Sequence, residues 1–180
     1  MSALVKNETA DVRFTPFNRG VYTLIIFLSK EAYLRIGKLG AQRFPKGYYA
    51  YTGSALGTGA SSLSHRVSRH LRKEKPKLWH IDFLLAHENA AVTAVIAAQT
   101  NKKLECKMNR CIKQEGKAKV PVVGFGASDC RENCESHLFF YPDITKNLDL
   151  VEKVVKCARF LGDNVFVWTT KDLRKGQAFT

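Results

Sequence analysis

The chain has 180 residues, 45% apolar and 25% charged, a composition that suits one soluble domain with its own core and argues against wholesale disorder. No apolar run approaches the roughly 18–20 residues of a membrane-crossing helix, and the opening MSALVKNETADVRF lacks the apolar segment of a secretory signal, so a cytoplasmic protein without a membrane partner is expected. With 29 Lys and Arg against 16 Asp and Glu the formal charge is +13, and such a surface concentrates polyanions, which makes nucleic acid the expected partner.

Residues 1–17 are polar and irregular and read as a loose arm. The run GVYTLIIFLS over 20–29 is apolar without helical spacing and predicts a buried strand. Residues 33–36 read as its hairpin partner. The longer loop GKLGAQRFPKG then leads to a third strand over 48–53, bracketed by Gly47 and Gly53. After GSALGTGASS, Ser61 or Ser62 offers an N-cap for a helix over 62–73. Leu63, Val67 and Leu71 give that helix its apolar stripe, and Pro76 stops it. A short helix over 78–87, a strand over 91–98 and a helix over 102–115 ended by Gly116 follow. VPVVGFGASDC reads as strand then turn, and HLFFY over 137–141 as a strand. Beyond Pro142, an amphipathic helix over 148–161 and a strand over 164–170 complete the chain. This tail is too short to fold alone and is expected to pack on the main domain, with Phe166 and Trp168 in its core. The expected fold class is α/β (α+β): a small antiparallel sheet flanked by helices over 18–141, with a helix-strand extension over 142–180.

The five cysteines form an odd set, which argues against an extracellular disulfide framework. Cys130, Cys134 and His137 are spaced C-x3-C-x2-H, and Cys106 and Cys111 C-x4-C. Neither is the spacing of a common zinc knuckle. The expectation is small, partly buried thiols and no structural zinc. A Cys106–Cys111 or Cys130–Cys134 disulfide is the alternative for a hyperthermophile source.

Chemistry gathers around the first and third strands. Tyr22 lies near the start of one and Tyr51 near the end of the other, and a Gly-Ser-rich turn leads to a helix carrying Arg66 and His70. Those two are at i and i+4 and share a helix face. Glu105 follows on a later helix. Tyr, Tyr, Arg, His and Glu suit single-metal phosphodiester hydrolysis. One carboxylate holds a hydrated Mg²⁺ or Mn²⁺ ion, a guanidinium clamps the phosphate, and a tyrosine relays a proton. Tyr49 rivals Tyr51, since residues two apart on a strand share a face. Glu88 is the runner-up to Glu105. His80 and Asp82 are cleft candidates beside a packing Trp79. Arg69, Arg72, Lys73, Lys75 and Lys77 form a basic cluster suited to positioning phosphates.

The ordered pair GVY at 20–22 and YTG at 51–53, with HRVSRH at 65–70, resembles the GIY-YIG nuclease superfamily. The stretches FPKGYYAYTGSALG, LSHRVSRHLRK, WHIDFLL and FGASDC with SHLFFY resemble a mostly archaeal subfamily of small proteins on that core. The likeness covers about residues 18–141. It implies that Tyr22 and Tyr51 share the general-base and orienting roles, that Arg66 stabilises the transition state, that His70 assists tyrosine or phosphate, and that Glu105 binds the metal. The gap between the two tripeptides is longer than in minimal members. The asparagine that often follows the metal glutamate has no clear counterpart, Ser128 or Asp129 falling in that region. The resemblance implies a metal-dependent endonuclease, with DNA favoured over RNA, probing repair or recombination structures. The alternative is a nucleic-acid-binding module or an accessory subunit on the same fold.

Overall fold

β1 (Gly20–Leu28) is buried almost along its whole length. Such a strand needs a neighbour on each edge and a layer on each face. The computed structural model describes residues 18–162, 164–170 and 172 and supplies all four. β4 (Gly47–Ala55) pairs with one edge of β1 and β5 (Ala90–Gln99) with the other, both antiparallel. β6 (Leu138–Tyr141) extends the sheet beyond β4, and β7 (Val165–Thr169) extends it beyond β5. The order is therefore β6-β4-β1-β5-β7. The arm expected over 1–17 lies outside the described residues.

Side chains alternate across the sheet. Tyr22, Leu24, Ile26 and Leu28 of β1 share one face with Tyr49 and Tyr51 of β4. That face is covered by α1 (Leu63–Leu71), α2 (His80–Leu85) and a separate ribbon of β2 (Ala32–Arg35) and β3 (Ala41–Phe44). Val21 and Ile25 of β1 face the other way, onto α3 (Glu105–Glu115) and α4 (Asn147–Arg159). The protein is thus α+β, a five-stranded antiparallel sheet between two unlike helical layers.

The ends of the elements follow local chemistry. The Ser62 side chain accepts from the His65 amide at 3.3 Å and caps α1. Leu63 and Val67 fill its inner stripe as expected, and His70 joins them in the interior. Asp82 accepts from the amides of Leu78 and Trp79 at 3.0 and 2.9 Å, which fastens the start of α2.

Several expectations are corrected. The segment at 33–36 does not pair with β1, whose edges are both occupied. β2 instead pairs with β3 in register Ala32↔Phe44, and β3 lies inside the segment read as a loop. VPVVGFGASDC contains no strand. It turns repeatedly, with Gly124 at φ +80° and Gly126 at φ +67°. α1 and α2 are shorter than read, and α3 begins at Glu105.

The C-terminal elements are integral to the two layers. β7 sets Trp168 opposite Val95 in β5, and Trp168 is buried with Phe166 stacked on it. α4 packs beside α3, and a Cys111–Cys157 disulfide joins them. Neither disulfide suggested by the spacing forms. The pairing that does form links cysteines 46 positions apart, which only the folded helix pair brings together. Among the described residues no helix is long and apolar enough to cross a membrane.

Candidate active site

The start of β1 and the end of β4 lie side by side, with Tyr22 opposite Gly53. The two tyrosines, Gly53 and Ser54 form one wall of a cleft of about 810 Å³. Arg66, Trp79 and His80 come from the helical layer above, and Glu105 and His137 from below. Gly53 has a steric role. A Cβ there would stand 2.6 Å from the Tyr22 oxygen, so the phenol occupies the space a side chain would take. Gly126, at positive φ, likewise leaves room for Tyr51, whose Cε2 would be 2.9 Å from an added Cβ.

Tyr22 Oη lies 2.8 Å from Nε2 of His70, both groups buried. Burial is the largest influence on the phenol and raises its pKa; the charge and hydrogen bonding of Arg66 pull it down without overcoming that. Arg66 is a donor only, so its approach to this oxygen directs the phenolic hydrogen to the imidazole. Burial pushes the His70 pKa down to about 3, so the ring is neutral and able to accept. Its other nitrogen, Nδ1, is buried without a hydrogen bond. The Tyr51 pKa is also raised, by burial and by the neighbouring Tyr22 and Glu105. Tyr51 meets the His70 ring edge-on at 6.0 Å between centroids. His70 thus stands behind the two tyrosines instead of lining the cleft.

Ser54 joins the cation to the carboxylate. Its carbonyl accepts from Arg66 at 3.0 Å, and its hydroxyl donates to Oε2 of Glu105 at 2.5 Å. Oε1 of Glu105 is 2.7 Å from Nδ1 of His137. Burial works to raise the Glu105 pKa, but His137, Ser54 and Arg66 outweigh it and hold the carboxyl below its ordinary value. Burial lowers and Glu105 raises the His137 pKa, and the rise prevails. Glu105 is therefore an anion at neutral pH, on the wall of an open cleft. Each of its oxygens keeps a lone pair beyond the contact it makes, and one carboxylate with water and phosphate completing the shell is a set that suits Mg²⁺ or Mn²⁺.

The remaining candidates separate. Arg69 makes a bidentate pair with Asp82 at 2.9 Å to each oxygen. It also donates to the Pro76 carbonyl and lies over the Trp79 ring at 4.1 Å. Burial raises the Asp82 pKa, but Arg69 and the Trp79 and Leu78 amides outweigh it and leave it lowered. Arg69 and Asp82 thus clamp α1 to α2, and neither lines the cleft. Lys73 donates to the Leu85 and Ala90 carbonyls. Lys75 donates to the His70 and Arg72 carbonyls, and burial pushes its pKa down to about 8. Arg72 and Lys77 are exposed, with Lys77 5.6 Å from the Phe83 ring centre. Tyr49 donates to the Pro45 carbonyl and packs on Phe44 and Phe140, away from the cleft. His80 does line the cleft, its Nδ1 accepting from the Gly126 amide at 3.1 Å. Ser128 and Asp129 line it too, while Glu88 is exposed outside it.

The sequence reading missed Ser54, Lys103 and Arg131, all on the cleft wall, and noted His137 only for its spacing from Cys130 and Cys134 and not for its place beside Glu105. Ser54 had a signal in its place directly after YTG. Lys103 stands two positions before Glu105, where a charge run reads equally as a solvated face.

The family model described as "Domain of unknown function DUF123" matches residues 21–160. The chain belongs to that family. The match spans every wall of the cleft and runs through α4, so the α3–α4 pair is part of the DUF123 unit. No curated protein and no solved structure matches the chain.

Proposed function

We infer that this DUF123 protein is a metal-dependent endonuclease of the GIY-YIG type that hydrolyses phosphodiester bonds in DNA, with a preference for branched or distorted structures. One observation carries the reading: Tyr22, Tyr51, Arg66 and Glu105, far apart in the chain, line a single open cleft with His70 bonded behind Tyr22. The net charge of +13 suits a polyanionic substrate.

Glu105 would hold the Mg²⁺ or Mn²⁺ ion, which when bound supplies positive charge to the scissile phosphate. The Arg66 guanidinium clamps the phosphate oxygens as their charge grows. Ser54 fixes the distance between clamp and carboxylate by bonding both. Tyr22 orients the attacking water, and the neutral ring of His70 holds the phenol in place by accepting its hydrogen at Nε2. With Nδ1 buried and unbonded, the ring carries no proton onward, and the proton lost by the water leaves through the open cleft to solvent. Tyr51 limits the movement of that ring. Arg72, Lys77, Lys103 and Arg131 are exposed cations around this region and suit backbone phosphates.

The test is a labelled panel of single strand, duplex, flap, fork, bulge and four-way junction, in EDTA, Mg²⁺ and Mn²⁺. Cleavage appears only with the divalent ion and falls by about 10²–10³-fold in Arg66→Ala. Tyr22→Phe and Glu105→Ala lose it as well. Tight binding with no cleavage under any condition would overturn the enzyme and leave a nucleic-acid-binding module. A protein that neither binds nor cuts would point to an accessory subunit.

A further inference from the structure

We propose that Cys106, Cys130, Cys134 and His137 bind one zinc ion, and that this ion fixes the imidazole that positions Glu105. One candidate ligand atom from each of the four residues lies within 4.8 Å of all the others. Ligands at about 2.3 Å for sulfur and 2.0–2.1 Å for nitrogen around a tetrahedral Zn²⁺ stand about 3.5–3.8 Å from one another. The Cys106 and Cys130 sulfurs are already 3.5 Å apart without being bonded. Three thiolates and one imidazole are a common structural zinc set.

Three independent features support a built site. His137 is buried, Nδ1 stands 2.7 Å from Oε1 of Glu105, and neither ring nitrogen completes a hydrogen bond. A buried imidazole nitrogen without a partner is costly unless a ligand meets it. Next, Asn133 adopts the left-handed conformation at φ +54°, which curls the C-x3-C segment so that Cys130 and Cys134 face the same point. Asparagine is among the few residues that accept that conformation readily. Third, Asn109 on α3, the helix that carries Cys106, donates to the Ser136 carbonyl at 2.7 Å and ties the loop to that helix.

The cysteine count then closes. Two of the five form the disulfide and three are ligands. The expectation of free thiols rested on spacing within one stretch. The fold adds Cys106 from α3 to Cys130, Cys134 and His137 from the loop, a combination no local pattern shows.

The consequence for function rests on the nuclease reading. A metal-bound His commonly donates its other N–H to a carboxylate, which orients both groups. Glu105 Oε1, 2.7 Å from Nδ1 of His137, stands where that carboxylate would be once the metal fixes the ring. The zinc would hold the shape of the cleft wall, and a separate Mg²⁺ or Mn²⁺ would serve the reaction.

The test begins with elemental analysis of the purified full-length chain, with no substrate present. About one zinc per chain is expected, together with a tetrahedral thiolate spectrum when Co²⁺ replaces it. Cys134→Ser and Cys106→Ser should lose the zinc. Glu105→Ala should keep it in chelator-free buffer, but bind it about 10–100-fold more weakly against a competing chelator. Should a serine variant fail to fold, the parent's Co²⁺ titration still decides the site. A metal-free folded chain that takes up neither Zn²⁺ nor Co²⁺, a Cys106–Cys130 disulfide, or an iron chromophore would each overturn the proposal. An unchanged zinc affinity in Glu105→Ala would overturn the link to Glu105. Because metal content is read without nucleic acid, failure here and failure to cleave DNA are distinguishable.

Discussion

The two walls of the cleft are built by different physics. One wall comes from β1, β4 and α1, where paired strands, dry burial and the Ser62 cap position Tyr22, Tyr51, His70 and Arg66. The other comes from the start of α3 and a loop over 128–137 without regular structure, held by Asn109, a few surface ion pairs and the thiol-imidazole cluster. In the first wall the packing of many buried side chains locates the chemistry. In the second, a few polar groups must do so, and their strength decides whether Glu105 keeps its place. Ser54 and Glu105 are where the walls meet.

The comparison can be broken on the first side with the largest effect. Asp82→Ala leaves Arg69 half-buried without its partner and removes the cap of α2. Breaking such a pair costs about 3–5 kcal/mol, read as a lower midpoint in urea unfolding. On the second side, reduction of Cys111–Cys157 releases a loop of 46 positions and costs about 2–4 kcal/mol. Thermal unfolding with and without reductant measures it, with the disulfide-free Cys111→Ala/Cys157→Ala variant as control. Gly53→Ala should cost about 1–3 kcal/mol through overpacking. Its sharper signature is displacement of Tyr22 from His70, seen as an altered His70 imidazole signal in NMR.

Acid sharpens the contrast. The folded His70 pKa is depressed from 6.5 to about 3, so between those values the unfolded chain takes up a proton that the folded chain refuses. This contribution to stability is complete above about pH 6.5 and is lost as pH falls toward 3, at about 1.4 kcal/mol per unit. His70→Gln should flatten that slope in unfolding measured across the window. The smallest effect is expected from Lys113→Ala. It removes a surface pair with Glu135 that fastens the loop to α3, and such pairs contribute about 0–1 kcal/mol. A large loss in that variant would show that the second wall depends on its surface, and not on the cluster beneath.

Legibility in the sequence followed the same division. β1, β4, α1 and α4 announced themselves through apolar runs and stripes, because their burial is continuous along the chain. β3 did not, since AQRF is short and only Phe44 in it is buried, and β2 was assigned a partner by proximity in sequence alone. The central sheet gives β1 two longer neighbours and leaves β2 to pair with β3. Around the cleft, Tyr22, Tyr51, Arg66 and His70 could be placed because they sit in GVY, YTG and the capped helix segment HRVSRH, whereas Glu105, on a later helix, was reached only through the family resemblance. Arg69 and Asp82 were read as ligand-facing although they bond each other, since a charge pattern does not say where charges point. Cys130, Cys134 and His137 did leave a spacing, C-x3-C-x2-H, but it is not that of a common knuckle and was read as free thiols. What the sequence does not show is that α3 brings Cys106 to them and that Asn133 curls the loop.

The account turns on Arg66, which bonds Ser54, approaches Tyr22 and opens onto the cleft. Its most direct test measures single-turnover cleavage and DNA binding side by side for the parent and Arg66→Ala in Mn²⁺. A nuclease of this design loses about 10²–10³-fold in cleavage rate while keeping most of its affinity. Cleavage that survives unchanged in Arg66→Ala would contradict it.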